Sequence, residues 1–326
     1  MRYTNLGRSP LKVSRLCFGA MSFGAVNDAA EAERLVGRAL ELGVNFFDTA
    51  VAYTDGQSEE FLGRALRGVR DQVVLCTKFG SRVEIGEGVN DRDSSRYHIV
   101  RALETSLRRL QTDRIDLYLM HMPHPGMNLE ETLETLDLLV RQGKVLYVGC
   151  SNFPAWLLCK ALWASDRRNL ISFGTLQSVY NLIERGVEME VLPLCHAEGL
   201  AFMAYRALCR GILAGEYLES GGEADVRAAH LQQRFAPGLQ RLREFALDRG
   251  RTPAQAALAW ILAHPAVTCA VAGPTREEEL EELAAAADWE LTPAERAWLS
   301  EAFPASAADE QIGVHADWRT RLDLLL

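Results

Sequence analysis

The chain has 326 residues, of which 48% are hydrophobic and 24% are charged, and its formal net charge at pH 7 is -9. This composition is typical of a globular protein with a sizeable core and argues against a disordered chain. The acidic balance argues against a nucleic-acid partner, because binding to phosphates draws on clustered Lys and Arg. The sequence has no apolar stretch long enough for a membrane span and no signal-peptide pattern, so we expect a cytoplasmic protein without a membrane partner.

In chain order, short apolar runs alternate with longer amphipathic runs. Residues 2–14, RYTNLGRSPLKVS, predict a short β-hairpin. Helical patterns, for example from Asp28 and from Ser94, start with a capping residue and continue with apolar residues three and four apart. Eight apolar runs predict strands, and they begin at Arg15, Val44, Val73, Ile115, Val145, Gly174, Leu200 and Val267.

The alternation of eight apolar strands with helices favours a closed parallel (β/α)8 TIM barrel over an open doubly wound sheet. We find no internal repeat and no linker rich in Pro, Gly or Ser, and therefore expect one barrel domain over residues 1–326. The polar stretches 81–94 and 219–238 follow strand ends and are candidate substrate loops. The amphipathic end of the tail 303–326 is open to three interpretations, a lid, a subunit contact or barrel packing, of which packing is the default.

The cysteine and histidine patterns do not indicate a metal centre or a disulfide framework. The seven cysteines include Cys17, Cys76 and Cys269 in apolar strand-like runs, where buried thiols are expected. His121 and His124 have the spacing of a metal-binding pair, but Pro123 and Pro125 break the helix that usually presents such a pair, so we expect no metal. Neither a serine-hydrolase elbow nor a Rossmann glycine motif occurs.

Four polar residues follow the second, third and fourth predicted strands, and they are Asp48, Tyr53, Lys78 and His121. Singly, each has an ordinary explanation as a turn former, a packing aromatic, a solvated charge or a satisfied histidine. In a parallel barrel, however, neighbouring strand ends surround one mouth. The Lys78 ammonium would then favour the phenolate of Tyr53, whose free pKa is near ~10. Asp48 would hold that ammonium, and His121 would hydrogen-bond an oxygen that gains charge.

Six spaced segments in order resemble those of the aldo-keto reductase family: GVNFFDTAVAYTDGQSEEFLGRAL, LCTKFG, SLRRLQTDRIDLYLMHMPHP, GKVLYVGCSNF, LQSVYNLIER and HPAVTCAVAGPTREEELEEL. The resemblance covers nearly the whole chain. It implies a barrel that binds NADPH, or less often NADH, in an extended pose at its C-terminal face. It also implies that Asp48, Tyr53, Lys78 and His121 form a catalytic tetrad, with Tyr53 protonating the carbonyl oxygen as the nicotinamide delivers hydride to the carbonyl carbon.

The same resemblance implies a cofactor site. Ser151, Asn152 and Gln177 would hydrogen-bond the carboxamide, and Tyr205 would stack on the nicotinamide ring. From the residues alone, Asn152 is also typical of a cap for a helix begun by Pro154. The phosphates are expected at the loops after the seventh and eighth strands. The complete implied set is Gly19, Ala20, Met21, Asp48, Ser151, Asn152, Gln177, Tyr205, Arg206, Leu208, Arg210, Gly211, Gly273, Thr275, Arg276, Glu279 and Glu282.

The chain departs from the family pattern in the two phosphate loops. Residues 206–207 are Arg-Ala where family members usually carry a small hydroxyl residue and a proline. Glu279 stands where Gln or Arg is common, and Leu283 stands where Asn is common. Glu279 would repel a 2'-phosphate unless Arg276 or Arg210 compensates. The family alone favours NADPH, and NADH stays open.

The predicted function is an NAD(P)H-dependent reductase that acts on the carbonyl of an aldehyde, a ketone or a sugar. One alternative is an NAD-dependent aldose or alcohol dehydrogenase on the same tetrad. The other is a nicotinamide-binding regulatory subunit, since some family members resemble enzymes yet serve channels. The expected partner is a small carbonyl or sugar molecule; no loop motif names it, and no pattern fixes an oligomeric state.

Overall fold

The computed structural model describes residues 1–81, 90, 94–124, 126–215 and 223–304. Two short strands, β1 (Tyr3–Asn5) and β2 (Lys12–Ser14), pair antiparallel as the predicted hairpin. Eight parallel strands form the barrel: β3 (Leu16–Gly19), β4 (Phe46–Asp48), β5 (Val74–Phe79), β6 (Ile115–Met120), β7 (Val145–Ser151), β8 (Thr175–Val179), β9 (Ala201–Tyr205) and β10 (Val267–Ala272).

The barrel closes by parallel pairing between β10 and β3, and the eight strands follow one another around it in chain order. All eight predicted strands are present, which confirms the predicted (β/α)8 TIM barrel with its N-terminal hairpin. The tail from residue 305 onward, most of the stretch 81–94 and the first part of the stretch 219–238 lie outside the described residues.

Helices surround the barrel. The predicted helix start at Asp28 is confirmed, since Asp28 and Glu31 form a capping box before the first helix. The third helix is capped one residue later than predicted, by Ser95 instead of Ser94, and the Ser95 hydroxyl accepts from the backbone of His98. The α-helices of the described ranges are α1 (Ala29–Glu41), α2 (Gln57–Ala65), α3 (Arg96–Leu110), α4 (Leu129–Arg141), α5 (Ala155–Arg168), α6 (Val191–Ala197), α7 (Glu223–Arg234), α8 (Ala236–Leu247), α9 (Pro253–Leu262), α10 (Glu277–Ala286) and α11 (Pro293–Glu301).

The barrel interior is filled by side chains from alternate strand positions, as the twofold period of a strand requires. The interior cluster includes Val74 and Cys76 of β5, and Leu117 and Leu119 of β6. The predicted burial of three thiols is confirmed, since Cys17, Cys76 and Cys269 are all buried in this cluster. Most of the other buried apolar side chains form a larger cluster, to which the helices contribute.

The hairpin closes the N-terminal end of the barrel. Leu6 and Val13 belong to the same cluster as the interior side chains. Gly7 has φ +57, and a Cβ there would lie 2.7 Å from the backbone nitrogen of Ala201, at the start of β9, so only glycine fits this turn. Because apolar residues plug this end, the barrel interior is open to a ligand from the C-terminal ends of the strands.

Within the described part of the chain, no helix is both long enough and apolar enough to cross a membrane. The longest described helix, α3, has 15 residues and carries charged side chains along its length.

Candidate active site

Parallel pairing of β4, β5 and β6 brings the strand-end residues together. Asp48 ends β4 beside Cys76 of β5, and Lys78 stands two residues further along β5. His121 directly follows β6, and its backbone nitrogen donates to the carbonyl of Phe79 at 2.6 Å. The neighbouring strand ends therefore place one carboxylate, one ammonium and one imidazole at a single opening of the barrel.

Lys78 is fully buried and binds three acceptors with its three ammonium hydrogens. Its Nζ lies 2.5 Å from Oδ1 of Asp48, 2.7 Å from the carbonyl oxygen of Thr49 and 3.2 Å from the phenol oxygen of Tyr53. Three fixed acceptors leave the ammonium one position, and that position is against the phenol. The structure thus brings Asp48, Lys78 and Tyr53 into direct contact.

His121 completes the group from the other side of the phenol. Its ring meets the ring of Tyr53 edge to face, with centroids 5.6 Å apart and an interplanar angle of 80°. Burial and the ammonium of Lys78 lower the pKa of His121 to about 3. The imidazole is therefore neutral at physiological pH, and it can donate or accept a hydrogen bond without carrying charge.

The titration of Tyr53 differs from the expectation that Lys78 would favour its phenolate. Burial raises the pKa of Tyr53, and the ammonium of Lys78 lowers it by less, so the pKa stays above its ordinary value. For Lys78, burial lowers the pKa, but the Asp48 carboxylate and the Tyr53 phenol raise it more. The pair at neutral pH is consequently a protonated phenol beside a charged ammonium.

Asp48, Tyr53 and His121 line a cavity of about 720 Å³, which is within the range of about 300–1,000 Å³ for small-molecule sites. The cavity runs over the ends of the strands to the first turns of α10. Of the predicted residues, those on its wall are Gly19, Met21, Asp48, Tyr53, His121, Ser151, Asn152, Gln177, Tyr205, Arg206, Leu208, Arg210, Gly211, Gly273, Glu279 and Glu282. Ala20, Thr275 and Arg276 are not among the lining residues. Lys78 does not line the cavity either, because it is fully buried in contact with Asp48 and Tyr53.

The side chain of Asn152 forms hydrogen bonds with other residues of the site and does not cap a helix. Its Nδ2 donates to the carbonyl of His121 at 3.0 Å, and its Oδ1 accepts from the hydroxyl of Tyr205 at 2.8 Å. Its φ is 62°, in the left-handed region that asparagine tolerates. The interpretation of Asn152 as a helix cap is wrong, because α5 is preceded by Pro154 as its capping residue and Asn152 makes no bond to it.

Gln177, on β8, reaches across the barrel to Asp48, a contact that sequence reasoning missed. Its Nε2 donates to Oδ2 of Asp48 at 2.8 Å. Both side chains are buried, with 3% of each residue exposed, so this bond is shielded from water. The two residues are 129 positions apart in the chain, so no local sequence pattern could predict the contact.

At the far end of the cavity, Glu279 is bound by its own loop. Its Oε2 accepts from the backbone nitrogen of Thr275 at 2.8 Å, and its Oε1 accepts from Nε of Arg276 at 2.8 Å. Burial acts to raise the pKa of Glu279, but these hydrogen bonds and the Arg276 charge lower it below its usual value. Glu282 accepts a hydrogen bond from the hydroxyl of Thr252, a residue that sequence reasoning did not assign.

The donor and acceptor set fits a dinucleotide. Buried amide and hydroxyl groups stand beside the phenol, as a nicotinamide carboxamide requires. The buried Nδ1 of His121 has no hydrogen-bond partner within the described residues. Further out, Arg206 (φ 55°) and Arg210 (φ 58°) lie in a backbone segment with left-handed residues, which is common where a chain wraps a ligand.

The comparisons with known proteins agree with this geometry. A model described as "Aldo/keto reductase family" matches residues 15–302. The chain is 39% identical over 314 residues to the uncharacterized oxidoreductase YrpG of Bacillus subtilis, an alignment that covers 93% of this chain and 96% of that protein. It is 35% identical to a probable voltage-gated potassium channel subunit beta of Arabidopsis thaliana, covering 88% of this chain and 92% of that protein.

A third relative carries a specific reductase name. The chain is 31% identical over 336 residues to the versiconal hemiacetal acetate reductase of Aspergillus parasiticus, covering 93% of this chain and 97% of that protein. The family match spans the barrel from its first strand to the end of α11. On these matches, the chain belongs to the aldo/keto reductase family.

Proposed function

We propose that the protein is a nicotinamide-dependent carbonyl reductase in which Tyr53 is the general acid. The observation that carries the proposal is the position of Lys78, whose ammonium lies 2.5 Å from the Asp48 carboxylate and 3.2 Å from the Tyr53 phenol at the wall of one cavity. Burying a lysine costs stability even when a carboxylate pairs with it, so neither packing nor solubility explains why this lysine is buried against a phenol. This arrangement is the one that a proton donor beside a carbonyl requires.

When bound, the nicotinamide supplies hydride to the carbonyl carbon. Tyr53 donates its proton to the carbonyl oxygen, so that C=O becomes CH–OH and the phenol becomes a phenolate. The adjacent Lys78 ammonium stabilises this phenolate, and Asp48 keeps the ammonium charged in a buried place. His121, neutral because of its lowered pKa, hydrogen-bonds the carbonyl oxygen and orients it toward Tyr53. Oxidation of the alcohol follows the same steps in reverse.

Ser151, Asn152 and Gln177 would hold the carboxamide, with Tyr205 against the nicotinamide ring. The 2'-phosphate of NADPH, the usual cofactor of the family, would come near Glu279. To bind this phosphate, Thr275 and Arg276 would have to give up their hydrogen bonds to the Glu279 carboxylate and donate to the phosphate instead. NADH makes no such demand, and Glu279 is therefore the observation that favours the second candidate function, an NAD-linked aldose or alcohol dehydrogenase on the same tetrad.

The relatives support carbonyl chemistry on a small molecule. One is named as a reductase of a hemiacetal acetate, and another as an oxidoreductase. The relatives named as potassium channel subunits beta support the third candidate, a nicotinamide-binding regulatory subunit. The three candidate functions share a nicotinamide-binding site. They differ in whether the protein reduces a carbonyl, oxidises an alcohol or sugar, or catalyses neither reaction.

The test is a titration of the purified protein with NADPH and then with NADH, followed by protein fluorescence. Aldehydes, ketones and sugars are then added, and oxidation of the bound nicotinamide is recorded. Binding with oxidation supports the reductase. Binding with reduction of the oxidised cofactor by alcohols or sugars alone supports the dehydrogenase, and binding without turnover supports the regulatory subunit. Absence of nucleotide binding contradicts all three.

A further inference from the structure

The loop between β4 and α2, residues 49–56, carries Tyr53. A side chain that does not line the cavity, that of Arg109, contacts this loop. We infer that Arg109, paired with the buried Glu59, is a positioning residue that fixes the phenol of Tyr53 at its distance from Lys78. This inference rests on the proposed function, in which Tyr53 is the proton donor. Arg109 itself is not on the cavity wall, and it acts only through the loop.

One guanidinium spans the loop on both sides of Tyr53. Nη1 of Arg109 donates to the carbonyl oxygen of Val51 at 2.9 Å, and Nη2 approaches the carbonyl oxygen of Asp55 at 3.5 Å. The side chain comes from the end of α3, and it can reach the loop because helical side chains point back toward the helix N-terminus. The two carbonyls cannot move apart without breaking one of these contacts.

The peptide of Val51 connects Arg109 to the strand that carries Lys78. The backbone nitrogen of Val51 donates to the carbonyl oxygen of Lys78 at 3.2 Å, while the Val51 carbonyl accepts from Arg109. The loop is thus bound on one side to the backbone of Lys78 and on the other to the guanidinium. The separation of the Tyr53 phenol from the Lys78 ammonium depends on both attachments.

Glu59 balances the charge of Arg109 and ties it to the same strand. The Glu59 side chain is fully buried, and its Oε2 lies 3.4 Å from Nη1 of Arg109. Its Oε1 accepts from the hydroxyl of Thr77, the neighbour of Lys78 on β5, at 2.7 Å. A buried carboxylate needs a cation and hydrogen bonds to remain charged, and these contacts supply them. Burial nevertheless raises the pKa of Glu59.

Two glycines make room for this arrangement. A Cβ on Gly63 would lie 2.6 Å from the Cα of Leu110, so glycine there lets α2 approach α3. A Cβ on Gly56 would lie 2.2 Å from Cζ of Arg109, so glycine there leaves the space that the guanidinium fills. The absence of both side chains is what permits Arg109 to pass along α2 and reach the loop.

The loop itself is strained. Thr54 (φ 49°) and Asp55 (φ 53°), which directly follow Tyr53, both have left-handed backbone conformations. This conformation is unfavourable for a β-branched residue such as threonine and persists only where surrounding contacts hold it. The contact of Arg109 with the Asp55 carbonyl is one of those contacts, and Thr54 adds another by donating to the carbonyl of Phe23 at 2.7 Å.

The test removes both charges at once, because Arg109→Met alone leaves Glu59 buried without its cation. The double variant Arg109→Met/Glu59→Gln is compared with Arg108→Met, which removes a cation from the exposed neighbouring position of α3. We expect the double variant to keep its affinity for cofactor and its KM and to lose about tenfold to a hundredfold in kcat, as misplacement of a reacting group does. Arg108→Met should match the unmodified protein.

Amide hydrogen exchange over residues 49–56 gives a readout that does not depend on activity. It should accelerate in the double variant and not in Arg108→Met. If the double variant does not fold, Arg109→Lys replaces it, since lysine keeps the charge beside Glu59 but lacks the two separate nitrogens with which the guanidinium reaches the two carbonyls. A further check is Arg109→Ala, in which added guanidinium ion should restore part of kcat, whereas it should restore nothing in Tyr53→Phe.

Unchanged kcat in a folded variant, or unchanged exchange over residues 49–56, would overturn the positioning role and leave the proposed function standing. Absence of carbonyl reduction in the unmodified protein would instead contradict the proposed function. In that case the exchange measurement alone decides whether Arg109 and Glu59 hold the loop.

Discussion

Gln177 donates a hydrogen bond of 2.8 Å to one oxygen of Asp48, while the other oxygen of Asp48 binds Lys78 at 2.5 Å. A single buried carboxylate therefore joins a side chain of the proposed nicotinamide pocket to the ammonium that contacts Tyr53. Each carboxylate oxygen has a fixed partner, and neither partner can shift without disturbing the other. Cofactor binding and proton transfer are for this reason expected to be coupled.

Gln177→Leu should reveal this coupling. The variant removes a hydrogen bond from the carboxamide and frees one oxygen of Asp48, so both the affinity for cofactor and kcat should fall. Fluorescence titration and steady-state kinetics measure the two effects, with the exposed Gln72→Leu as the matched control. A loss of affinity with kcat unchanged would show that the bond to Asp48 does not contribute to catalysis.

The pH dependence of reduction should follow Tyr53 alone. The phenol must be protonated to act as an acid, and burial raises its pKa, so kcat for reduction should be constant from about pH 5 to 8 and fall only at alkaline pH. Alcohol oxidation needs the phenolate, and its rate should rise over the same alkaline range. Because the pKa of His121 is lowered to about 3, a titration near ~6.5, the ordinary histidine value, would contradict a neutral His121.

Lys78→Met should lower kcat by about a hundredfold or more, the range of general acid catalysis. Because the ammonium lowers the pKa of Tyr53, its loss should also move the alkaline decline of reduction to higher pH. The exposed Lys160→Met is the control. Since Asp48 would be left buried without its cation, the double variant Lys78→Met/Asp48→Asn is measured alongside. An unchanged pH profile in both would remove Lys78 from its role in tuning the phenol.

Glu279→Gln should raise the affinity for NADPH relative to NADH. The lowered pKa of Glu279 makes it an anion at neutral pH, and its replacement removes a negative charge that repels a 2'-phosphate and that Arg276 binds. We expect a relative gain of about tenfold, equal to about 1.4 kcal/mol, by fluorescence titration with each nucleotide. The exposed Glu278→Gln should change neither affinity. Equal effects of Glu279→Gln on both nucleotides would place the 2'-phosphate elsewhere.

The barrel and the meeting of Asp48, Lys78 and His121 follow from sequence, because parallel strand order fixes which strand ends are neighbours. What the pattern could not supply is the degree of burial. The charge of Lys78 does lower the pKa of the Tyr53 phenol, as expected. Burial of Tyr53 raises that pKa by more, so the net change is upward. The capping interpretation of Asn152 was wrong for a different reason: the residue has a left-handed φ of 62° and its side chain binds Tyr205, and the sequence pattern predicted neither.

The sequence pattern also could not predict contacts between segments that are far apart in the chain. Arg109 and Val51 are 58 residues apart, and their contact exists only because α2 and α3 pack closely at Gly63. Arg276 was predicted to offset the charge of Glu279 near a 2'-phosphate. The two side chains do form an ion pair, because residues three apart at the start of a helix lie on the same face.

The central claim is that Tyr53 gives the proton to the reduced carbonyl. The most direct measurement is a single turnover, in which protein saturated with reduced nicotinamide is mixed rapidly with an aldehyde and the nicotinamide absorbance is followed. Tyr53→Phe is compared with Tyr97→Phe, which alters an exposed tyrosine on α3. We predict that Tyr53→Phe binds the cofactor normally and transfers hydride about a hundredfold or more slowly, while Tyr97→Phe is unchanged. Hydride transfer by Tyr53→Phe at the unmodified rate would contradict the mechanism.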